Sequence, residues 1–217
     1  MSTTTTTGVW PAAHAERAAL ADDLAGLTDE QWATPSLCAG LSVREVLAHL
    51  TAAATLGRLR WTWSVLRCRF DFDKHVADRL AEQLGATPAE TYDRFRRIVT
   101  STTSTFGPKA AWFGEVIVHA EDIRRPLGIR HDYPVDVVTR VAEFYVGADF
   151  TVPSKSLTSG LRLAATDGPF TAGSGPLVSG TTLALTMAMA GRGAFCDNLT
   201  GDGVATLRER TAEAGRT

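Results

Sequence analysis

Apolar residues recur at helical spacing through the first two thirds of the chain. Residues 12–27 carry Ala15, Ala18, Ala19 and Leu24 along one stripe, which predicts a helix. A short turn over residues 28–31 leads to Trp32, and residues 35–40 read as a loop. Ser42-Val43-Arg44-Glu45 then has the form of a capping box, in which hydroxyl and carboxylate each satisfy a backbone N–H of the first turn. From it a long amphipathic helix is expected to run to about Leu66, with Val43, Val46, Leu47, Leu50, Ala53 and Ala54 on its apolar side. Thr87-Pro88-Ala89-Glu90 starts another helix, with Pro at its first position, and Phe95 and Ile98 carry it toward Thr102. Phe106-Gly107-Pro108 breaks the chain. A helix over 109–125 follows, stopped by Pro126 and Gly128, and a weaker one runs from about Pro134 to Asp149.

Beyond Thr151 the pattern changes. Residues 161–166 alternate like a strand, and glycines and prolines between 168 and 180 punctuate short extended pieces. Residues 181–191 read as a helix, and 197–210 as a loop with a short helix. The expected organisation is a disordered tail over 1–11, an antiparallel four-helix bundle over 12–151, and a small α+β domain over 152–217. The class is mainly α.

The 217 residues suffice for such a core, and 44% hydrophobic with 21% charged residues is an ordinary globular composition. A formal net charge of -2 offers no electrostatic reason for nucleic acid or an anionic membrane as partner. Cys38, Cys68 and Cys196 are odd in number and show no paired short spacing, so neither a disulfide framework nor a zinc ribbon is indicated and a reducing cytoplasm is expected. The threonine run of residues 1–7 lacks the basic and apolar regions of a signal peptide, and apolar stretches such as 181–190 are too short to span a bilayer. The expected assembly is a monomer or a homodimer.

One constellation carries chemistry. Glu115 and His119 are four residues apart, hence on one helix face, beside Trp112, Val116 and Ile123. His49 lies in a comparable place between Val46 and Ala53. Taken singly, such a His is usually a hydrogen-bonded boundary residue, and an E-x-x-x-H pair is usually a surface ion pair. Together in a bundle interior, two imidazoles and a carboxylate need something to offset desolvation, and a divalent cation does so. Three protein ligands and an open position describe catalytic zinc.

Three stretches carry a family resemblance. They are Trp32 to Gly40 with Leu41-Ser42-Val43-Arg44-Glu45-Val46-Leu47-Ala48-His49-Leu50; Glu115-Val116-Ile117-Val118-His119-Ala120-Glu121-Asp122-Ile123-Arg124-Arg125-Pro126-Leu127-Gly128; and the C-terminal segments 161–167, 173–180, 191–192 and 199–203. With these the chain resembles the DinB-like, mycothiol-dependent maleylpyruvate isomerase family of actinobacteria, whose C-terminal domain is sterol-carrier-protein-like. The resemblance implies that His49, Glu115 and His119 are the ligands of a divalent metal such as zinc, with mycothiol as cosubstrate. Leu41 stands where the family usually has tryptophan.

The chemistry implied is activation of a bound thiol, whose thiolate adds to a small electrophile for isomerisation or transfer. Arg192, between Gly191 and Gly193, is the candidate catalytic cation for a substrate carboxylate, with a helix C-cap charge as its plainer role. The alternatives are a binding protein that catalyses nothing and a metal-dependent hydrolase. Arg124 and Arg125 read as helix C-terminal charges with Asp122 as local partner, and Cys38 as a structural thiol without a nearby His or acid in sequence. His14, His75 and His131 read as surface residues, and Trp61 and Trp63 as packing or pocket walls. The glycines of 168–180 lack the setting of a phosphate loop.

Overall fold

The computed structural model describes residues 8–57, 62–63, 71–104, 107–149 and 152–215, and for residues 72–76 the backbone alone. Residues 1–7, Trp61, Cys68, the His75 side chain, Phe106 and the expected helical stretch 58–66, apart from residues 62–63, lie outside the described residues. The chain divides into two compact units, Gly8–Arg130 and His131–Thr217.

In the first unit α1 (Val9–Asp23), α3 (Val43–Thr55), α5 (Pro88–Arg97) and α6 (Lys109–Arg124) form a ring. In that ring α3 packs on α5 and α6, and α1 packs on the same two helices. The short α2 (Asp29–Trp32) precedes α3, and α4 (Phe72–Leu84) lies against α3 and α5. The core joins Leu20 and Leu24 of α1, Trp32, Val46, Leu47 and Leu50 of α3, Phe95 of α5, and Ala120 and Ile123 of α6. Burying each of the larger of these side chains is worth about 1.5–3 kcal/mol, and together they hold the four helices in register.

Local signals place the helix starts. Ser42 accepts from the Glu45 N–H, and the Glu45 carboxylate accepts from the Ser42 N–H at 2.8 Å, which closes the capping box. Thr28 and Gln31 form a second capping box at α2, where the sequence suggested only a turn. Thr87 caps α5 with Pro88 at its first position. Helix α1 begins at Val9, three residues ahead of the expected start, because Pro11 in a first turn needs no N–H partner.

Helix α3 ends at Thr55 instead of continuing toward Leu66; Leu56 is extended and Gly57 follows. Thr51 and Thr55 turn their hydroxyls back onto the carbonyls of Leu47, Thr51 and Ala52, and such side-chain bonds compete with the helical ladder near its end. Arg44 ties the start of α3 to the α4–α5 turn by donating to the Thr91 hydroxyl and to the carbonyls of Leu84 and Gly85.

Helix α6 has no solvent-facing side over its second half, since residues 116–124 are all buried. Arg124 is accordingly not a solvated C-terminal charge. It is fully buried and donates to the Asp23 carboxylate on α1 at 2.7 Å.

The second unit begins with α7 (Val135–Gly147), which packs on the later α9. The compact division therefore falls ahead of α7, whereas the change in composition falls near residue 152. Composition records where glycines and strands begin; packing records which partner buries the apolar face of Val137, Val138, Val141 and Tyr145. After α8 (Ser154–Thr158), strands β1 (Arg162–Ala165), β2 (Thr171–Gly173) and β3 (Leu177–Gly180) form a sheet in the order β2-β1-β3. Strand β1 pairs antiparallel to β2 and parallel to β3, with Leu163 opposite both Ala172 and Val178. Gly173, at φ 70°, has the Leu161 carbonyl oxygen 2.2 Å from where a Cβ would stand, so no other residue turns the chain there.

Helix α9 (Thr182–Met189) is buried on nearly every side and packs on the sheet, α7 and the 3-10 helix Gly193–Asn198. Helix α10 (Val204–Ala214) closes the unit and is longer than the sequence suggested. Among the described residues no helix is long and apolar enough to cross a membrane.

The Arg124–Asp23 pair yields the first prediction. Removing one partner of a fully buried pair costs about 3–5 kcal/mol. Asp23 retains some contact with water, its side chain being 26% exposed, so Asp23→Ala is expected to lower the unfolding free energy by about 2–3 kcal/mol. Asp93→Ala, which removes the solvent-exposed partner of Arg96, serves as control and should stay within about 0.5 kcal/mol. Urea titration of both variants checks the contrast.

Candidate metal centre

Two helices of the first unit supply the site. On α3, Val46, Leu47 and Leu50 are drawn into the core, which turns the next row, with His49, toward α6. On α6, Glu115 and His119 stand one turn apart on the side facing His49.

The three side chains converge. Glu115 Oε2 lies 3.5 Å from His49 Nε2 and 3.2 Å from His119 Nε2. The two rings meet edge to face with centroids 4.8 Å apart. The donor atoms of all three lie within 4.8 Å of one another. A tetrahedral cation with bonds of about 2.0–2.2 Å holds its ligands about 3.4 Å apart, so the residues present fit a zinc-like ion with little movement.

His119 is oriented from behind. Its Nδ1 lies 2.9 Å from Asp122 Oδ2, and Asp122 is completely buried. A carboxylate on Nδ1 holds a proton there, so Nε2, which faces Glu115, is the nitrogen that would give its lone pair to a cation, the usual support of a metal-ligating histidine. The sequence suggests Asp122 as a local partner of the following arginines; the structure adds His119, three residues back on the same face, where a desolvated carboxylate meets a donor within reach.

The electrostatics call for positive charge at the centre. Burial alone raises the Glu115 pKa, but hydrogen bonds from His119 and His49 outweigh it and hold the carboxyl well below the usual carboxylate range. Burial likewise disfavours the His119 imidazolium, yet Asp122 and Glu115 outweigh it and push its pKa up to about 9. Two carboxylates around one imidazole attract a cation, whether proton or metal.

The other singled-out residues are placed differently. Cys38, read as lacking a His or acidic partner, has its sulfur within 4.8 Å of ligand atoms of His119 and Asp122; the loop, not the local sequence, brings them together. His14 is half-buried against the Ser101 carbonyl at 3.2 Å instead of on the surface, and His131 is half-buried with its ring 4.5 Å from that of Tyr133. Trp63 is 70% exposed and packs no core. Arg192 belongs to the second unit, where its Nη1 donates to the Ala190 carbonyl at the C-terminal end of α9.

Residues 13–122, half of the chain, match the family model described as the mycothiol maleylpyruvate isomerase N-terminal domain. The fold is similar to the crystal structure of the mycothiol-dependent maleylpyruvate isomerase, with a TM-score of 0.64 at 16% identity, and to that of its histidine-to-alanine mutant, with 0.65 at 17%. Each likeness covers 93% of this chain and 96% of the other. No curated protein matches the chain in sequence. The site on α3 and α6 lies within the matched stretch, and the chain belongs to the mycothiol maleylpyruvate isomerase N-terminal domain family.

Proposed function

We propose that the protein is a thiol-dependent metalloenzyme of the mycothiol-dependent isomerase type, acting on a small anionic electrophile, with His49, Glu115 and His119 as ligands of a divalent metal. The observation that carries this reading is the convergence of the two imidazole Nε2 atoms on Glu115 Oε2, with Asp122 fixing His119 from behind. The family membership supports mycothiol as the thiol and maleylpyruvate as the first substrate to try.

His49, Glu115 and His119 would hold a divalent cation, and when bound it would supply a positive charge that lowers the pKa of a thiol beside it. The protein's part is arrangement. Asp122 keeps the His119 proton on Nδ1, and Glu115 remains ionised. Burial of residues 116–124 excludes water from one side, while the His49 and Glu115 side chains stay 25% and 24% exposed and leave the approach for thiol and substrate. Zinc suits this donor set, with nitrogen and oxygen ligands from the protein and sulfur from the thiol.

Elemental analysis of zinc-loaded protein should find about one ion per chain, and His49→Ala and His119→Ala should each lose most of it while far-UV circular dichroism stays unchanged. Wild-type metal content in both variants removes the ligand assignment. Mycothiol should bind the zinc-loaded protein more tightly than the metal-free protein; equal binding by calorimetry, with no turnover of maleylpyruvate, points to a binding protein instead.

Asp122→Asn retains shape and loses the charge behind His119. Zinc affinity should fall by about 10–100-fold, measured by competition with a chromophoric chelator, with the fold preserved.

Arg192 is the cation proposed for the substrate carboxylate. A guanidinium pairs with a carboxylate through two parallel hydrogen bonds that an ammonium cannot reproduce. Arg192→Lys should therefore lower turnover of an anionic acceptor by about tenfold or more, the effect of losing one charge-assisted hydrogen bond, while metal content is unchanged. A residue that only caps α9 would retain nearly full activity as Lys, since the charge at the helix end is kept.

A further inference from the structure

Cys38 stands in the loop that leads into α3, and the proposed reaction makes no use of it. The loop is firmly built. Residues Pro35 and Ser42 pair across its base, the Ser36 N–H donates to the Leu41 carbonyl at 2.9 Å, and the Ser36 hydroxyl accepts from the Cys38 N–H at 3.1 Å. Gly40, at φ 77°, makes the turn. The Leu37 N–H donates to the main-chain carbonyl of Asp122 at 3.1 Å, which pins the loop to the turn of α6 that carries the supporting carboxylate.

That pinning creates a second trio of donors. The Cys38 sulfur, a ring nitrogen of His119 and a carboxylate oxygen of Asp122 lie within 4.8 Å of one another. Asp122 is fully buried, His119 nearly so, and Cys38 half-buried, so an ion has an approach from the loop side. The chemistry of this trio differs from that of the first. His49, Glu115 and His119 offer nitrogen and oxygen alone, whereas Cys38 adds a thiolate, the ligand that selects soft ions. Bonds of about 2.3 Å to sulfur and 2.0–2.1 Å to nitrogen place such donors about 3.5 Å apart. A contraction of at most about 1.3 Å brings them there, within the range of a rotation of the cysteine side chain.

We propose that Cys38, His119 and Asp122 form a second cation site, selective for thiophilic ions such as Cd²⁺ or Cu⁺, which shares His119 with the first site and competes with it. On binding, the Cys38 thiol gives its proton to solvent and the sulfur–metal bond forms. The His119 proton on Nδ1, the nitrogen facing Asp122, goes to solvent as well, while Nε2 keeps its proton and Glu115 accepts its hydrogen bond. A neutral imidazole has one lone pair, so His119 serves one ion at a time. The competition rests on the proposed first site; capture of a soft ion at Cys38 does not.

The test is titration of the full-length protein with Cd²⁺ in thiol-free buffer, followed by thiolate-to-cadmium charge-transfer absorption. Wild type should show a saturable band that disappears in Cys38→Ser and persists in the Cys68→Ser/Cys196→Ala double variant, with circular dichroism verifying the fold of each. In His49→Ala, which impairs the first site alone, the band should persist. Zinc loading should move the wild-type midpoint to at least tenfold higher Cd²⁺, and this shift should vanish in His49→Ala. Absence of the band in wild type, or its survival in Cys38→Ser, overturns the second site. A Cys38-dependent band indifferent to zinc, in protein shown by elemental analysis to hold zinc, overturns the sharing. If the protein binds no zinc and the Cys38-dependent band remains, the first site fails and the second stands.

Discussion

The structure depends on how α6 keeps its ionisable groups inside the protein. Residues 116–124 have no solvent side, yet they include His119, Glu121, Asp122 and Arg124. Each charge removed from water costs several kcal/mol unless a partner meets it. The partners define the surroundings: Asp122 faces His119, Asp23 of α1 reaches Arg124, and His49 of α3 reaches Glu115 at the start of the buried stretch. The helix is thus locked to α1 by the Arg124–Asp23 ion pair and to α3 by the candidate metal trio. Apolar contact of Ala120 and Ile123 with the core of α1, α3 and α5 supplies the rest.

The same constraint explains why the site stands where it does. A carboxylate between two imidazoles is unfavourable where it is largely withdrawn from water without positive charge, and the high His119 pKa, about 9, is one expression of that need. The donors are held by helices whose apolar rows fix their rotation, so their separation already approaches that of ligands on one ion. The loop of residues 36–41 adds sulfur to the far side of His119 because its backbone bonds to the carbonyl of Asp122. One imidazole therefore stands between two donor sets of different softness.

Much of this was legible along the chain. Ser42 with Glu45 and Thr87 with Pro88 state helix starts that form locally, and both appear in the structure. The four-residue spacing of Glu115 and His119 guarantees a shared face once the helix exists. Other features depended on distant partners. Arg124 looked like a C-terminal charge because nothing nearby in sequence announces Asp23, and Cys38 looked isolated because its neighbours lie more than eighty residues on. The apolar pattern continues past Thr55 and suggests a longer α3, while the extended Leu56 and Gly57 follow its last turn. The assignment of α7 to the second unit follows from its packing on α9, which composition does not record.

By itself, then, the sequence determined the helical class, the starts of α3 and α5, the short strands of the C-terminal unit and the presence of two imidazoles and a carboxylate on helix faces. These follow from periodicity, capping and spacing, which act within a few residues. Only the tertiary structure decided that His49 meets Glu115, that Asp122 turns to His119, that Arg124 is buried against Asp23 and that Cys38 joins the far side of the site. Those pairings arise from desolvation and packing between segments distant in sequence, where the partner of a buried charge is chosen by the fold and not by its neighbours along the chain.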